Sequence, residues 1–477
     1  MKALAWRSAL AVLLLGAIFP LTVERMEHVT DTAWTYLWDG PSLLAELALA
    51  SLVLFGCGWP FVKRARHAPS ATALGAALVA WACAAVKLAR HAPFVPSEDV
   101  YAQTCALIGA CLLLARLLER FFLERFGDAP VDSRPLPPWL VPGLFGVALV
   151  SAVVHGLLAL AKPFDHAALH MIAVLATASP AALLAATAFP LAAVCRSGVF
   201  APANLAGPLL RELARAETLA IDGDAGGEAG APAGPVSPSA VVCLPGVDEQ
   251  ELRRLHADTS PRLALASRQA IERAADSAEA GALITRADDL RQRGLTVSYV
   301  LVDGKPAAVV GFGGFGEHGA EDSTRASLEP LRASGLKLIL LTGANRVTAA
   351  ARAAHLGLDT VTELRAELTP EQKQAALAEL AAASPRLVVV RGASIELGGG
   401  LAPLDLADAT PETLARAHRL ARLATDVERL GTALAWSYNA LGVVAAAAFT
   451  LRPSLGALAS LGCTAALAAL SLTLRKK

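Results

Sequence analysis

Long apolar runs separated by short polar breaks fill the first 195 residues, disappear between 196 and 430, and return near the C-terminus. A bilayer core takes a helix of roughly 20 mostly apolar residues. Eight stretches meet that pattern, at about 8–23, 42–62, 70–89, 101–118, 138–161, 167–195, 432–450 and 454–474. Lys2 and Arg7 precede the first run, and no small-residue cleavage site follows in "FPLTVERMEH", so a retained anchor is predicted.

The pattern between the spans is different. In "ETLAIDGDAGG" (217–227) a short β-type run, Leu219 to Ile221, delivers Asp222 into a glycine-rich turn, with Asp224 two residues on. A Gly/Ala/Pro/Ser linker, "EAGAPAGPVSPSA", leads into "LASRQAIERAADSAEA", which reads as helix. Beyond residue 295, "LTVSYVLVDGKPAAVVGF" predicts a hairpin turning at Asp303-Gly304, a favoured tight-turn pair. "LKLILLTG" and "RLVVVRG" read as buried strands, and "RVTAAARAAHLG" as a helix stopped by Gly357. Strands alternating with helices predict a parallel doubly wound sheet, which the strand ending at Asp222 joins from across the linker.

Composition agrees with a partly membrane-embedded chain. Of 477 residues, 55% are apolar and 18% charged, against about 25% charged in ordinary soluble proteins. Lys+Arg and Asp+Glu number 42 each, so net charge is zero and nothing points to nucleic acid. Basic loops, "VKRARH" (62–67), "RLLERFFLER" (116–125) and the terminal "RKK", alternate with poorer ones. The positive-inside bias then puts both termini and the 196–430 region in the cytoplasm, with the chain in the inner membrane. The seven cysteines form no Cys-x-x-Cys pair and read as small apolar residues. Gly56, Gly58 and Pro60 should kink the second span, leaving the basic segment after it on the membrane surface. Pro180, mid-way along the sixth, should interrupt that helix and free a carbonyl. His155, His166 and His170 flank the short loop between the fifth and sixth spans and read as interfacial side chains.

On "GCGWPFVKRA", "ARAETLAID", "LTGANRVTAAARAAHLGL", "ELTPEQKQAALAEL" and "LAWSYN", in this order along nearly the whole chain, the sequence resembles the heavy-metal P-type ATPases, most closely the copper-transporting branch. The resemblance implies eight membrane helices and a cytoplasmic α/β HAD-like (Rossmannoid) domain. Its parts would be helices within 1–126, a short loop at 127–137, a helix pair at 138–195, the HAD-like domain at 196–227 and 295–430, a truncated nucleotide-domain insertion at 228–294, and a final pair at 431–477.

The departures are as informative. Asp222 falls on the phosphorylated aspartate of Asp-Lys-Thr-Gly-Thr, but Gly223, Asp224, Ala225 and Gly226 follow it. Thr-Gly-Asp-Asn becomes Thr342-Gly343-Ala344-Asn345, while the phosphate-neutralising lysine is retained as Lys373. At the family's Mg²⁺ segment, "VVVRGASIELGG", Arg391 replaces the first carboxylate and Glu396 is the next acid. Cys-Pro-Cys becomes Ser179-Pro180-Ala181, removing both thiolates suited to Cu(I). Tyr438 and Asn439 match the family's Tyr-Asn, and Cys463 and Thr464 take the place of its Ser-Ser, so Ser179, Pro180, Asn439 and Cys463 are the metal-site candidate that the resemblance leaves at the helix break. "ERFFLERFGDAPVDSRPLPP" stands where an actuator domain of over a hundred residues is expected, and no Thr-Gly-Glu occurs. An N-terminal Cys-x-x-Cys domain and the adenine-contacting His-Pro are not found either.

Three readings follow. An ATP-driven copper pump would use Asp222, Lys373, Mg²⁺ and ATP. An Mg²⁺-dependent HAD phosphatase would use Asp222 as nucleophile and Asp224 as general acid, with Thr342 and Lys373 on the phosphate. The third is a pseudoenzyme with a vestigial Asp222, no required cofactor, and a membrane partner such as a related pump, an assembly factor or its own copy. The accumulated losses favour the third, which predicts that the Arg391 guanidinium pairs with Asp222 or Asp224.

Overall fold

The computed structural model describes residues 2–27, 35–59, 70–89, 101–126, 136–159, 163–201, 206–223, 240–244, 263–266, 271, 277–293, 295–302, 305–312, 328–391, 393–397, 403–408, 410–449 and 451–476. They form two compact units, Met1–Arg196 with Ala424–Lys477, and Ser197–Leu423.

The first unit is helical. Its elements are α1 (Lys2–Glu27), α2 (Thr35–Ser51), α3 (Ala71–Ala89), α4 (Tyr101–Phe126), α5 (Leu140–Leu158), α6 (Pro163–Thr177) and α7 (Pro180–Cys195), joined by the second half of α12 (Pro411–Ala448) and by α13 (Pro453–Leu472). Each of the eight apolar stretches is helical over most of its described residues. Among the described residues, six segments are long and apolar enough to cross a membrane, with α6 and α7 together making one of them. The second expected span is shorter as an apolar helix, Leu43–Cys57. The fourth lies in α4, which buries Tyr101, Cys105 and Leu113 but carries Arg116, Glu119 and Arg120 further on.

Alanine makes this packing possible. Ala76, Ala77 and Ala80 of α3 are fully buried, and small side chains let helix backbones approach closely where lipid supplies no hydrophobic drive. Leu13, Val150 and Leu441 are exposed on the unit's surface, as expected of side chains that face acyl chains.

Two interruptions follow from sequence. After Ser51 the second helix widens into a π-turn, Leu52–Cys57, and the Gly58 N–H donates to the Val53 carbonyl at 3.0 Å. A Cβ at Gly58 would collide with the Leu54 carbonyl oxygen, so the kink needs glycine there. The basic segment after Pro60 lies outside the described residues. The other interruption separates α6 from α7 at Ala178 and Ser179.

On α13, Gly456 packs directly on Thr177, so that an added Cβ would overlap the Thr177 hydroxyl and lie 3.2 Å from its backbone nitrogen. Gly462 on the same helix has no such neighbour within 4 Å. Gly456→Ala should therefore destabilise by about 1–3 kcal/mol through overpacking, whereas Gly462→Ala should stabilise by up to about 1 kcal/mol through helix propensity. Thermal melts of the two variants in detergent, shifted in opposite directions, check this.

The second unit holds two sheets. The larger has the order β10-β9-β8-β1-β6-β7, built from β1 (Thr218–Asp222), β6 (Lys337–Leu341), β7 (Leu364–Arg365), β8 (Leu387–Arg391), β9 (Ser394–Leu397) and β10 (Leu404–Asp405). Strand β1 is central and parallel to both β6 and β8. Its Leu219, Ala220 and Ile221 have no exposed surface, which is why this strand reads as an unbroken apolar run. The helices α8 (Gly207–Ala214), α10 (Arg346–His355) and α11 (Pro370–Ala383) belong to the same unit. Gly357, with φ +67°, ends α10 as expected from its sequence.

The smaller sheet is antiparallel, β2-β5-β4-β3, from β2 (Ala240–Cys243), β3 (Leu263–Ala266), β4 (Thr296–Val302) and β5 (Lys305–Phe312), with α9 (Ser277–Gln292) beside it. The hairpin β4–β5 forms as predicted; its turn residues lie outside the described set. It pairs with β2 and β3, not with the parallel strands, so the expected boundary at 294/295 falls within one sheet. The reason is two-faced burial: Tyr299 and Val309 pack with Leu283, Ala287 and Leu290 of α9, while Val300, Ala308 and Val310 meet Val241 and Cys243. Leu265 and Ala266, which open the stretch predicted as helix, are instead strand with Leu263 and Ala264, completing that sheet's edge along β4.

Candidate functional site

The end of β1 carries Asp222, and the sheet register decides its neighbours. Asp222 lies level with Leu341 of β6 on one side and with Arg391 of β8 on the other. The Gly223 N–H closes back onto the Leu341 carbonyl at 2.9 Å, turning the chain just past the aspartate. Carboxyl ends of parallel strands are where open α/β sheets place their sites.

Among the described residues, two cations divide the Asp222 carboxylate. Lys373 Nζ lies 2.9 Å from Oδ1, and Arg391 Nε lies 3.5 Å from Oδ2. Lys373 comes from the first turn of α11, whose start is held by a capping box between Thr369 and Gln372. Arg391 also reaches Glu396, with Nη1 3.0 Å from Oε1 across the β8–β9 pair. The Asp222 and Lys373 side chains are both 16% exposed, whereas Arg391 and Glu396 are both 44% exposed. The first pair is thus the sheltered one, and the guanidinium closes it from the solvent side. The ion pair expected from Arg391 to Asp222 is present; Asp224 lies outside the described residues.

Thr342, the residue after β6, is fully buried, and its hydroxyl accepts from the Ala344 N–H at 3.1 Å. Asn345, three residues on, accepts from the Thr348 N–H at 2.9 Å and caps α10. In this chain that asparagine starts a helix.

Sequence reasoning missed Arg352. Only 6% exposed, it donates from Nη1 to the Gly223 carbonyl at 3.2 Å, from α10 to the turn after Asp222. The signal was its phase: Thr348, Ala349, Arg352, Ala353 and Leu356 share the buried face of α10. A charge within such a stripe points inward.

The HAD fold implies Mg²⁺, and these residues do not fit it. Mg²⁺ takes oxygen ligands at about 2.0–2.1 Å in near-octahedral array. Here both Asp222 oxygens face cations, a guanidinium occupies the neighbouring strand position, and Glu396 is turned to that same guanidinium.

The helix break is the second candidate. Ser179 is extended out of helical geometry, with φ −128° and ψ 70°, and Pro180 starts α7. Asn439 of α12 bridges it: Oδ1 accepts from the Ser179 N–H at 2.8 Å, and Nδ2 donates to the Ser179 carbonyl at 3.2 Å and to the Ala435 carbonyl at 2.8 Å. The Tyr438 hydroxyl donates to the Thr177 carbonyl at 2.9 Å. The Tyr-Asn pair thus satisfies backbone groups that the missing helical turn leaves open. A small cavity of about 50 Å³ adjoins the break, lined by the polar residues Ser70, Thr72, Ser179, Ser460 and Thr464 and by Cys111. Cys463 is buried but is not among its lining residues. The lining is mainly hydroxyl and apolar, with room for a few waters.

The haloacid dehalogenase-like hydrolase family matches residues 229–395. A copper-transporting P-type ATPase of Rhizobium leguminosarum is 34% identical over 198 residues, covering 38% of this chain and 22% of its own. A silver-exporting P-type ATPase of Salmonella typhimurium is 33% identical over 204 residues, 39% of this chain and 24% of its own. A copper-exporting P-type ATPase of Legionella pneumophila is 25% identical over 422 residues, 76% of this chain and 56% of its own. The chain therefore spans between about a fifth and somewhat over half of the length of these relatives. A zinc-transporting PIB-type ATPase crystallised in an E2.Pi state aligns over 97% of this chain and 99% of that one, at 16% identity and a TM-score of 0.45. With its membrane-length apolar helices and its match to the HAD-like family, this chain is similar to the copper and heavy-metal P-type ATPases over part of their length.

Proposed function

We propose that this chain keeps the architecture of a heavy-metal pump without its phosphorylation cycle, and acts as a binding, regulatory or assembly partner in metal homeostasis. Its place is the inner membrane, with both termini and the HAD-like unit in the cytoplasm. The observation that carries this reading is the occupation of Asp222. A nucleophilic carboxylate needs a free oxygen in line with phosphorus and a metal ion to gather the phosphate charge. Arg391, in register beside Asp222, supplies a fixed positive charge where a metal-binding carboxylate is expected, and turns the aspartate into one half of an internal ion pair. The short connection between α4 and α5, residues 127–139, supports the same reading, since it leaves no room for a dephosphorylating domain.

The test is phosphorylation of the purified full chain by ATP with Mg²⁺, with and without Cu⁺, Ag⁺ or Zn²⁺, beside Asp222→Asn. The expected result is no hydroxylamine-sensitive phosphoprotein in either form. A metal-stimulated acyl phosphate lost in the variant would establish a pump. Mg²⁺-dependent hydrolysis of an aryl phosphate, lost in Asp222→Asn, would establish a phosphatase using Asp222 and Asp224. Either outcome sinks the proposal.

A further inference from the structure

We infer that His155 of α5 and His170 of α6 form a binding site for one divalent first-row transition-metal ion, apart from the helix break and the HAD-like unit. His170 lies nine positions before Ser179, roughly 13 Å at 1.5 Å per residue along the helix.

Three observations converge on the pair. The first is the tautomer of His155. Its Nδ1 lies 2.9 Å from the Ser151 carbonyl oxygen one turn back. A carbonyl can only accept, so Nδ1 carries the hydrogen and Nε2 the lone pair. A ring N–H tied to a backbone carbonyl is the support that metal-ligating histidines make with their other nitrogen.

The second is the state of His170. It is 3% exposed, and neither ring nitrogen makes a hydrogen bond among the described residues, although the Ala446 carbonyl lies close by. Buried polar atoms of this kind nearly always have a partner. A nitrogen left over in such a ring is open to a ligand.

The third is the stack. The two rings lie 3.4 Å apart between centroids and 14° from parallel. That separation brings imidazoles from two different helices within reach of a single ion.

The chemistry sets the class of ion. Two imidazoles without thiolate or carboxylate suit Zn²⁺, Co²⁺, Ni²⁺ or Cu²⁺ rather than a hard cation. Among the described residues no group of three His, Cys, Asp or Glu side chains is placed to hold a metal. The site is therefore open, with two protein ligands and water at the other positions, and it exchanges its ion instead of building the fold around it. Binding swings the rings out of their stack until Nε2 of His155 and a nitrogen of His170 converge. The Ser151 hydroxyl, which donates to the Ala447 carbonyl at 3.2 Å, ties the supporting turn of α5 to α12.

The full chain, stripped with chelator in detergent, is titrated with Zn²⁺ against a chromophoric competitor. One ion per chain is expected, with affinity falling at least 10-fold in His155→Ala and in His170→Ala, little further in the double variant, and unchanged in Ser179→Ala. If an alanine variant misfolds, Cu²⁺-loaded protein gives a second readout: pulsed EPR should show two imidazole nitrogens in the parent and one in His155→Gln. Zn²⁺ affinity unchanged in a folded histidine variant, equal loss in Ser179→Ala, or no Zn²⁺ bound by the parent each overturns the site.

Discussion

Replacing Lys373 and Arg391 together by methionine is expected to destabilise the sheet unit by more than the two single replacements combined. Either variant alone removes one of the two described cations from Asp222. Arg391→Met should cost less than about 1 kcal/mol, because the guanidinium is nearly half exposed and water screens what it offers. Lys373→Met should cost about 1–2 kcal/mol, since both partners are sheltered. The double variant strips a sheltered carboxylate of both cations. A fully buried charge left so costs about 3–5 kcal/mol; at 16% exposure about 3 is expected, with a coupling of about 1 kcal/mol. Adding Asp222→Asn should restore most of the loss, because the neutral amide needs no counter-charge. Thermal melts of the full chain and hydrogen exchange at the β1 amides measure the series. Strict additivity, or no rescue by Asp222→Asn, would show that Arg391 does not stand in for a second cation.

Asn439→Leu should cost about 1–3 kcal/mol. The side chain makes three hydrogen bonds at the break, two to Ser179 and one to the Ala435 carbonyl, and is 6% exposed. Leucine matches its bulk but leaves the Ser179 N–H unpaired in an apolar interior, at about 1–3 kcal/mol before relaxation, while the Ser179 carbonyl keeps the Ala182 N–H at 3.1 Å. Hydrogen bonds within membrane helices average less than that, which sets the lower end of the range. Tyr438→Phe, losing the single bond to the Thr177 carbonyl, should cost about 1 kcal/mol. Melting temperatures in detergent order the two variants. An Asn439→Leu protein as stable as the parent would mean that the asparagine does not hold the break.

The membrane helices were legible because a 20-residue apolar run has few alternatives. The parallel core was legible because β1, β6 and β8 are short apolar strands ending in turn residues. The partnership of Arg391 with Asp222 could be anticipated from the relatives' spacing, and the register of β8 on β1 gives its physical basis. Three things were hidden. The sheet that β4 and β5 join depends on pairing with β2 and β3, residues 30 to 70 positions away in the chain, and local pattern does not encode partner choice. The Leu263–Ala266 strand lies in an alanine-rich segment that favours helix until the β4 edge is supplied. Asn439 looked like a ligand because asparagine donors and acceptors serve a metal and a broken backbone alike; only the Ser179 geometry separates the two roles.

On the proposed reading, in which Arg391 has replaced a carboxylate, its place beside Asp222 also bears on whether the lineage can turn back. No arginine codon becomes an aspartate codon through a single base change, so restoring a carboxylate at this position needs an intermediate residue such as glycine or histidine. Each intermediate removes a partner of Asp222 and Glu396 before any catalytic return is possible. Selection would therefore meet a less stable protein first, and the charge exchange on β8 works as a genetic ratchet.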